Sequence, residues 1–144
     1  MTLSDDRKAL RQLFFLTWKK MQSQELLTGL EAIVASVITM HPEYHALLSA
    51  PEQFIDGDYF PQFGHINPFL HMGMHISLAE QRQSNRPQGI ELIYQQFLKK
   101  HGDAHAAEHE MLSCLAESLW QAQRDNKLPN EKNYLRLLRQ SLAG

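Results

Sequence analysis

The chain of 144 residues carries eight histidines, and four pairs are spaced four apart: His41 with His45, His71 with His75, His101 with His105, and His105 with His109. Random placement of that many histidines would give about 0.4 such pairs, so the spacing is a pattern that asks for a physical cause. On an α-helix, residues four apart differ by about 40° in rotation and roughly one turn in height, so both imidazoles can reach one metal ion. Metal ligation is therefore the chemistry to examine first. Neutral imidazoles suit zinc, iron, nickel or copper, and carboxylates beside them favour iron or manganese or allow two metals.

The expected ligands are His75, His105 and His109, with His71, His45, Glu108, Glu31 and His41 as further donors. The expected cofactor is a divalent transition metal, zinc or iron first, with nickel, manganese and copper as alternatives. Three imidazoles and an open position would make a bound water nucleophilic near neutral pH, whereas added carboxylates would suit dioxygen or redox chemistry. The residues do not choose between these reactions, and no small-molecule substrate is indicated. HAAEH, from His105 to His109, also matches the HxxEH signature of inverted zinc proteases, with Glu108 as the base. That reading needs a third ligand, from acids such as Glu110, Glu117 or Glu131, and a cleft that a small bundle has little room for.

Each candidate also has a structural reading. Glu31 falls on the apolar face of its helix, where a carboxylate is tolerated only if paired, hydrogen-bonded or bound to metal. His41 precedes Pro42, which disfavours helical geometry at His41, so its imidazole can instead cap the helix and interact with the dipole. If the histidines all act in this way, the chain is a small α-helical scaffold or interaction protein. Met72 and Met74 read as core fillers, and the single Cys114, opposite His105 on an ideal helix, as a packing residue.

Helices must position these side chains. A helix is expected over 5–22, capped by Ser4, with Leu10, Leu13, Phe14 and Trp18 inward; Phe15 and Leu16 fall outside this stripe and suggest either a homodimer formed through it or an extra layer of helix. ELLTGLEAIVASVITMH continues as the next helical run, with Leu27, Leu30, Val34, Val37, Ile38 and His41 on one face. A short helix PEYHALL follows, then an ordered loop at about 49–66 that contains Pro and Gly and has room for one helical turn. Asn67 and Pro68 start a helix running to Ser84, in which Gly73 offers room for a close approach. Ile90, Ile93, Tyr94 and Phe97 mark a helix that Gly102 stops. Asp103 caps the following helix, whose expected inner stripe is His105, His109, Leu112, Ala116 and Leu119. Tyr134, Leu137, Leu138 and Leu142 mark the last helix. The expectation is an all-α, single-domain bundle of five or six helices covering 1–144.

Composition removes several classes. The formal net charge is −2 with mixed signs and no polybasic block, which leaves no electrostatic footprint for nucleic acid. The longest apolar runs, LFFLTW and AIVASVI, are far shorter than a membrane span, and the acidic N-terminus lacks the basic start and apolar core of a signal peptide, so a cytoplasmic location is expected. One cysteine excludes an internal disulfide and any CxxC motif.

NPFLHMGMH, with HPEYH before it and GDAHAAEH and ESLWQAQ after it, resembles the bacterial family known as domain of unknown function 1841 over nearly the whole chain. The resemblance implies a bacterial, cytoplasmic protein. It carries no activity, substrate or catalytic residue with it.

Overall fold

The computed structural model describes residues 3–54 and 67–144. They form α1 (Leu3–Gln22), α2 (Leu30–Met40), a 3-10 turn (Pro42–Tyr44), α3 (His45–Leu48), α4 (Pro51–Phe54), α5 (Pro68–Ser84), α6 (Ile90–His101), α7 (Ala104–Arg124) and α8 (Glu131–Ala143). No strand occurs among the described residues, so the class is all-α. The segments outnumber the five or six expected, because the expected short helix PEYHALL divides into the 3-10 turn and α3, and the start of the 49–66 loop closes into the single turn α4. Residues 55–66 of that loop, and the side chain of Ser4, lie outside the described residues. Among the described residues no helix is long and apolar enough to cross a membrane.

The chain divides into two compact units, residues 1–76 and 77–144. In the first, Phe14, Phe15, Val34, Val37, Ile38, Leu48, Phe69, Met72 and Ile76 form one apolar cluster. The inner face of α1 is rotated from the expected stripe: Phe15 is 8% exposed, whereas Leu10 is 38% exposed. The cause is Phe69 of α5, whose ring meets Phe15 edge-on at 5.7 Å and Phe14 at 6.0 Å, with the Arg11 guanidinium 4.9 Å from its centroid. Aromatic contact at these distances draws Phe15 inward and leaves Leu16 outside. The run from Glu25 does not continue as helix. Gly29 takes φ 55°, a left-handed value that side chains avoid, and α2 begins only at Leu30. At its other end His41 leaves helical geometry before Pro42, as the proline requires. α5 starts as its sequence dictates, with Asn67 Oδ1 accepting from the Phe69 and Leu70 amides at 3.0 and 3.1 Å.

In the second unit α6, α7 and α8 pack on one another. All four expected residues of α6, Ile90, Ile93, Tyr94 and Phe97, are buried, and the helix stops at Gly102 with φ 69°. Asp103 caps α7 by accepting from the Ala106 amide at 2.8 Å. The buried face of α7 runs through Ala107, Glu108, Met111, Leu112 and Ser118. It shares only Leu112 with the expected stripe; Ala116, Leu119 and His109 are exposed and His105 is half-buried. The interior accepts a carboxylate and a hydroxyl on that face, which a stripe drawn on hydrophobicity alone passes over. Tyr134 and Leu138 are buried on α8, and the Tyr134 hydroxyl donates to Gln81 Oε1 at 2.9 Å.

Candidate metal centre

In the first unit, three of the expected ligands come together. His71 and His75 project from α5 one turn apart, and His41 arrives from the corner where Pro42 ends α2. Their rings are mutually edge-on, with centroids 5.0 Å apart for His41 and His71, 4.7 Å for His41 and His75, and 4.8 Å for His71 and His75. One ring nitrogen from each lies within 4.8 Å of the others. His75 is 0% and His41 2% exposed, and His71 is half-buried.

The nitrogen geometry can be compared with coordination. Two nitrogens bound at about 2.05 Å to one tetrahedral ion stand about 3.3 Å apart. The Nε2 atoms of His71 and His75 are 3.3 Å apart, a separation that fits two ligands of one ion and also a long N–H···N hydrogen bond between the rings. His41 adds an orientation. Its Nδ1 lies 2.8 Å from the Val37 carbonyl oxygen, which can only accept, so Nδ1 carries the proton and Nε2 keeps the lone pair. A backbone carbonyl that fixes the tautomer of a histidine in this way is the usual support for a ligating imidazole.

The ring of His45 packs on Trp18 at 4.4 Å, and its Nε2–H donates to the Ile38 carbonyl at 2.9 Å, closing the end of α2. Glu31 accepts from Lys20 Nζ at 2.6 Å, and that hydrogen bond holds its carboxyl below the usual range against the opposing effect of burial. This is the paired carboxylate that its place on an apolar face allows. In the second unit, His105 and His109 have ring centroids 4.2 Å apart at 72°, and ring nitrogens within 4.8 Å of each other. The spacing thus delivers a two-imidazole pair on α7. Glu108 is 8% exposed and acts electrostatically on Arg82 and Tyr94, the Arg82 guanidinium lying 3.5 Å from the Tyr94 ring centroid. Among the described residues, no carboxylate joins the three histidines of the first unit.

Two of the three acids considered as a protease's third ligand, Glu110 and Glu117, are engaged in other contacts. Glu110 accepts from Lys100 Nζ at 3.0 Å, from His101 Nε2 at 2.5 Å and from the Ser141 hydroxyl. Glu117 accepts from Gln121 Nε2 at 2.9 Å. Cys114 is a packing residue, its thiol 3.7 Å from the Leu137 carbonyl and its pKa pushed up by burial.

Spacing by fours passes over Tyr44. Its ring is stacked on that of His41 at 5.6 Å and 12°, and presents an edge to His71 at 6.5 Å. Burial, then the charge of Glu43, push its phenol pKa up. The signal was present in HPEY: a proline after a helix-ending histidine favours a tight turn, and residues three apart in a 3-10 turn eclipse one another.

Fold and histidines together define an all-α protein that gathers three imidazoles where a helix end meets a helix face. The chain belongs to the family described as domain of unknown function 1841, whose model matches residues 6–140 and so spans all the candidate ligands. No curated protein and no solved structure matches the chain.

Proposed function

We propose that this protein binds a divalent transition metal through His41, His71 and His75. The observation that carries the reading is the three-ring arrangement itself: near-equal centroid separations, a 3.3 Å Nε2–Nε2 distance, and a His41 tautomer that keeps the lone pair on Nε2. An all-nitrogen donor set favours zinc, with iron, nickel or copper behind it and manganese, which prefers carboxylates, last. Three imidazoles leave a coordination position open, and a metal there supplies either an acidified water for hydrolysis or a redox centre.

Zinc titration of the metal-free protein tests it. The wild-type chain is expected to take up zinc, and His71→Ala with His75→Ala to lose at least about 100-fold in affinity, since two of three donors disappear. Unchanged affinity in that double variant would remove the site from α5.

Two further readings rest on single observations. Leu16 of α1 is 49% exposed beside Leu10 at 38%, which supports a homodimer through that helix; Leu16→Glu should then shift the sedimentation coefficient to that of a monomer. His41 and His45 both bond backbone carbonyls, which supports structural histidines in a scaffold. In that case a stable complex with another protein survives alanine at His71 and His75.

A further inference from the structure

We propose that Tyr44 is a positioning residue for the metal site, holding His41 so that Nε2 faces the nitrogens of His71 and His75. This rests on the metal reading above and goes beyond it. Two of the three rings need no such help: His71 and His75 sit four apart on one helix, whose backbone fixes their separation. His41 is different. It lies outside regular helix, with φ −123° and ψ 66°, at a corner whose direction α2 alone does not set.

The His41 amide ties that corner to α2 by donating to the Ile38 carbonyl at 3.0 Å, and Tyr44 supplies two further contacts. The Val37 carbonyl accepts from His41 Nδ1 at 2.8 Å, which orients the ring in its plane but leaves it free to tilt about that bond. The Tyr44 amide donates to the His41 carbonyl at 3.0 Å and closes the 3-10 turn. The Tyr44 ring then lies nearly parallel to the His41 imidazole, at 12° and 5.6 Å, which opposes the tilt. Its edge contact with His71 at 6.5 Å relates the same ring to the α5 pair. The contribution is the face of the ring, not the hydroxyl, because stacking uses the π surface.

Cobalt and zinc binding by the full chain test this. Tyr44→Leu keeps an apolar side chain of similar bulk but removes the aromatic face, and Tyr44→Phe restores it. Loss of an outer-shell partner of a metal ligand typically weakens binding by about 10–100-fold. Tyr44→Leu should therefore weaken zinc binding by that factor and alter the visible spectrum of the cobalt form at saturation, while Tyr44→Phe stays within about threefold of wild type and keeps its spectrum. Thermal unfolding of the metal-free proteins shows that each variant is folded, and Tyr44→Val replaces Tyr44→Leu if the latter is not. Wild-type affinity and spectrum in the folded aliphatic variant would overturn the positioning role while leaving the metal site standing. A wild-type chain that binds neither metal would overturn both.

Discussion

At the scale of single residues, the most constrained acid is Glu110, not one of the candidate ligands. Burial alone would raise its pKa, but hydrogen bonds from Ser141, His101 and Lys100 outweigh that and bring it to about 2. Because the folded value lies below the ordinary 4.5, the ionised form stabilises the fold in full above about pH 4.5, and this contribution is lost as pH falls towards 2. Glu110 and its partners are partly exposed, so solvent screening reduces the contribution to on the order of 1 kcal/mol. Glu110→Gln should lower urea-unfolding stability at pH 7 by roughly that order and flatten the fall between pH 5 and about 2.5. An unchanged acid limb in the variant would place the linkage on another group. Glu31 shows why anomalous residues are only partly legible from sequence. Its place on an apolar face marks a carboxylate in need of a partner, but Lys20, eleven positions earlier, is revealed as that partner only by the packing of α1 and α2.

At the scale of elements, the helix signals were read where they are local and misread where the partner is distant. Asn67–Pro68, Gly102–Asp103 and the buried positions of α6 follow from capping and period alone. The inner faces of α1 and α7 do not, because Phe69 turns the first and Glu108 with Ser118 enter the second. Gly73 separates the two kinds of argument. The sequence suggests that it makes room for a close neighbour, yet among the described residues a methyl there would meet only Leu10 Cδ2 at 3.9 Å, an ordinary contact. Gly73→Ala should therefore stabilise α5 by up to about 1 kcal/mol, through helix propensity. Gly102→Ala should destabilise by about 1 kcal/mol, because its φ of 69° strains any residue with a Cβ. Thermal unfolding of the two variants should move in opposite directions; a loss of stability in Gly73→Ala would reveal a neighbour against that face.

At the scale of the whole molecule, the all-α class and the family were legible from the sequence. HxxxH spacing picks out side chains that share a helix face, and His71 with His75 fulfils it. It cannot tell which helix end will meet that face, and so it ranked His41 low, although the corner made by Pro42 carries His41 to the α5 pair. A metal bound to the folded chain but not to the unfolded one must also raise stability, by about 2.7 kcal/mol at a free concentration one hundred times the dissociation constant. The central claim is met most directly by elemental analysis of the full chain purified without an affinity tag or added metal, with thermal unfolding repeated after adding zinc, iron or nickel. The account predicts a transition metal approaching one equivalent per chain, or an apo protein whose midpoint rises on adding metal and does so far less in His71→Ala with His75→Ala. Less than about 0.1 equivalent of every transition metal, together with no rise on adding any of the three, would contradict it.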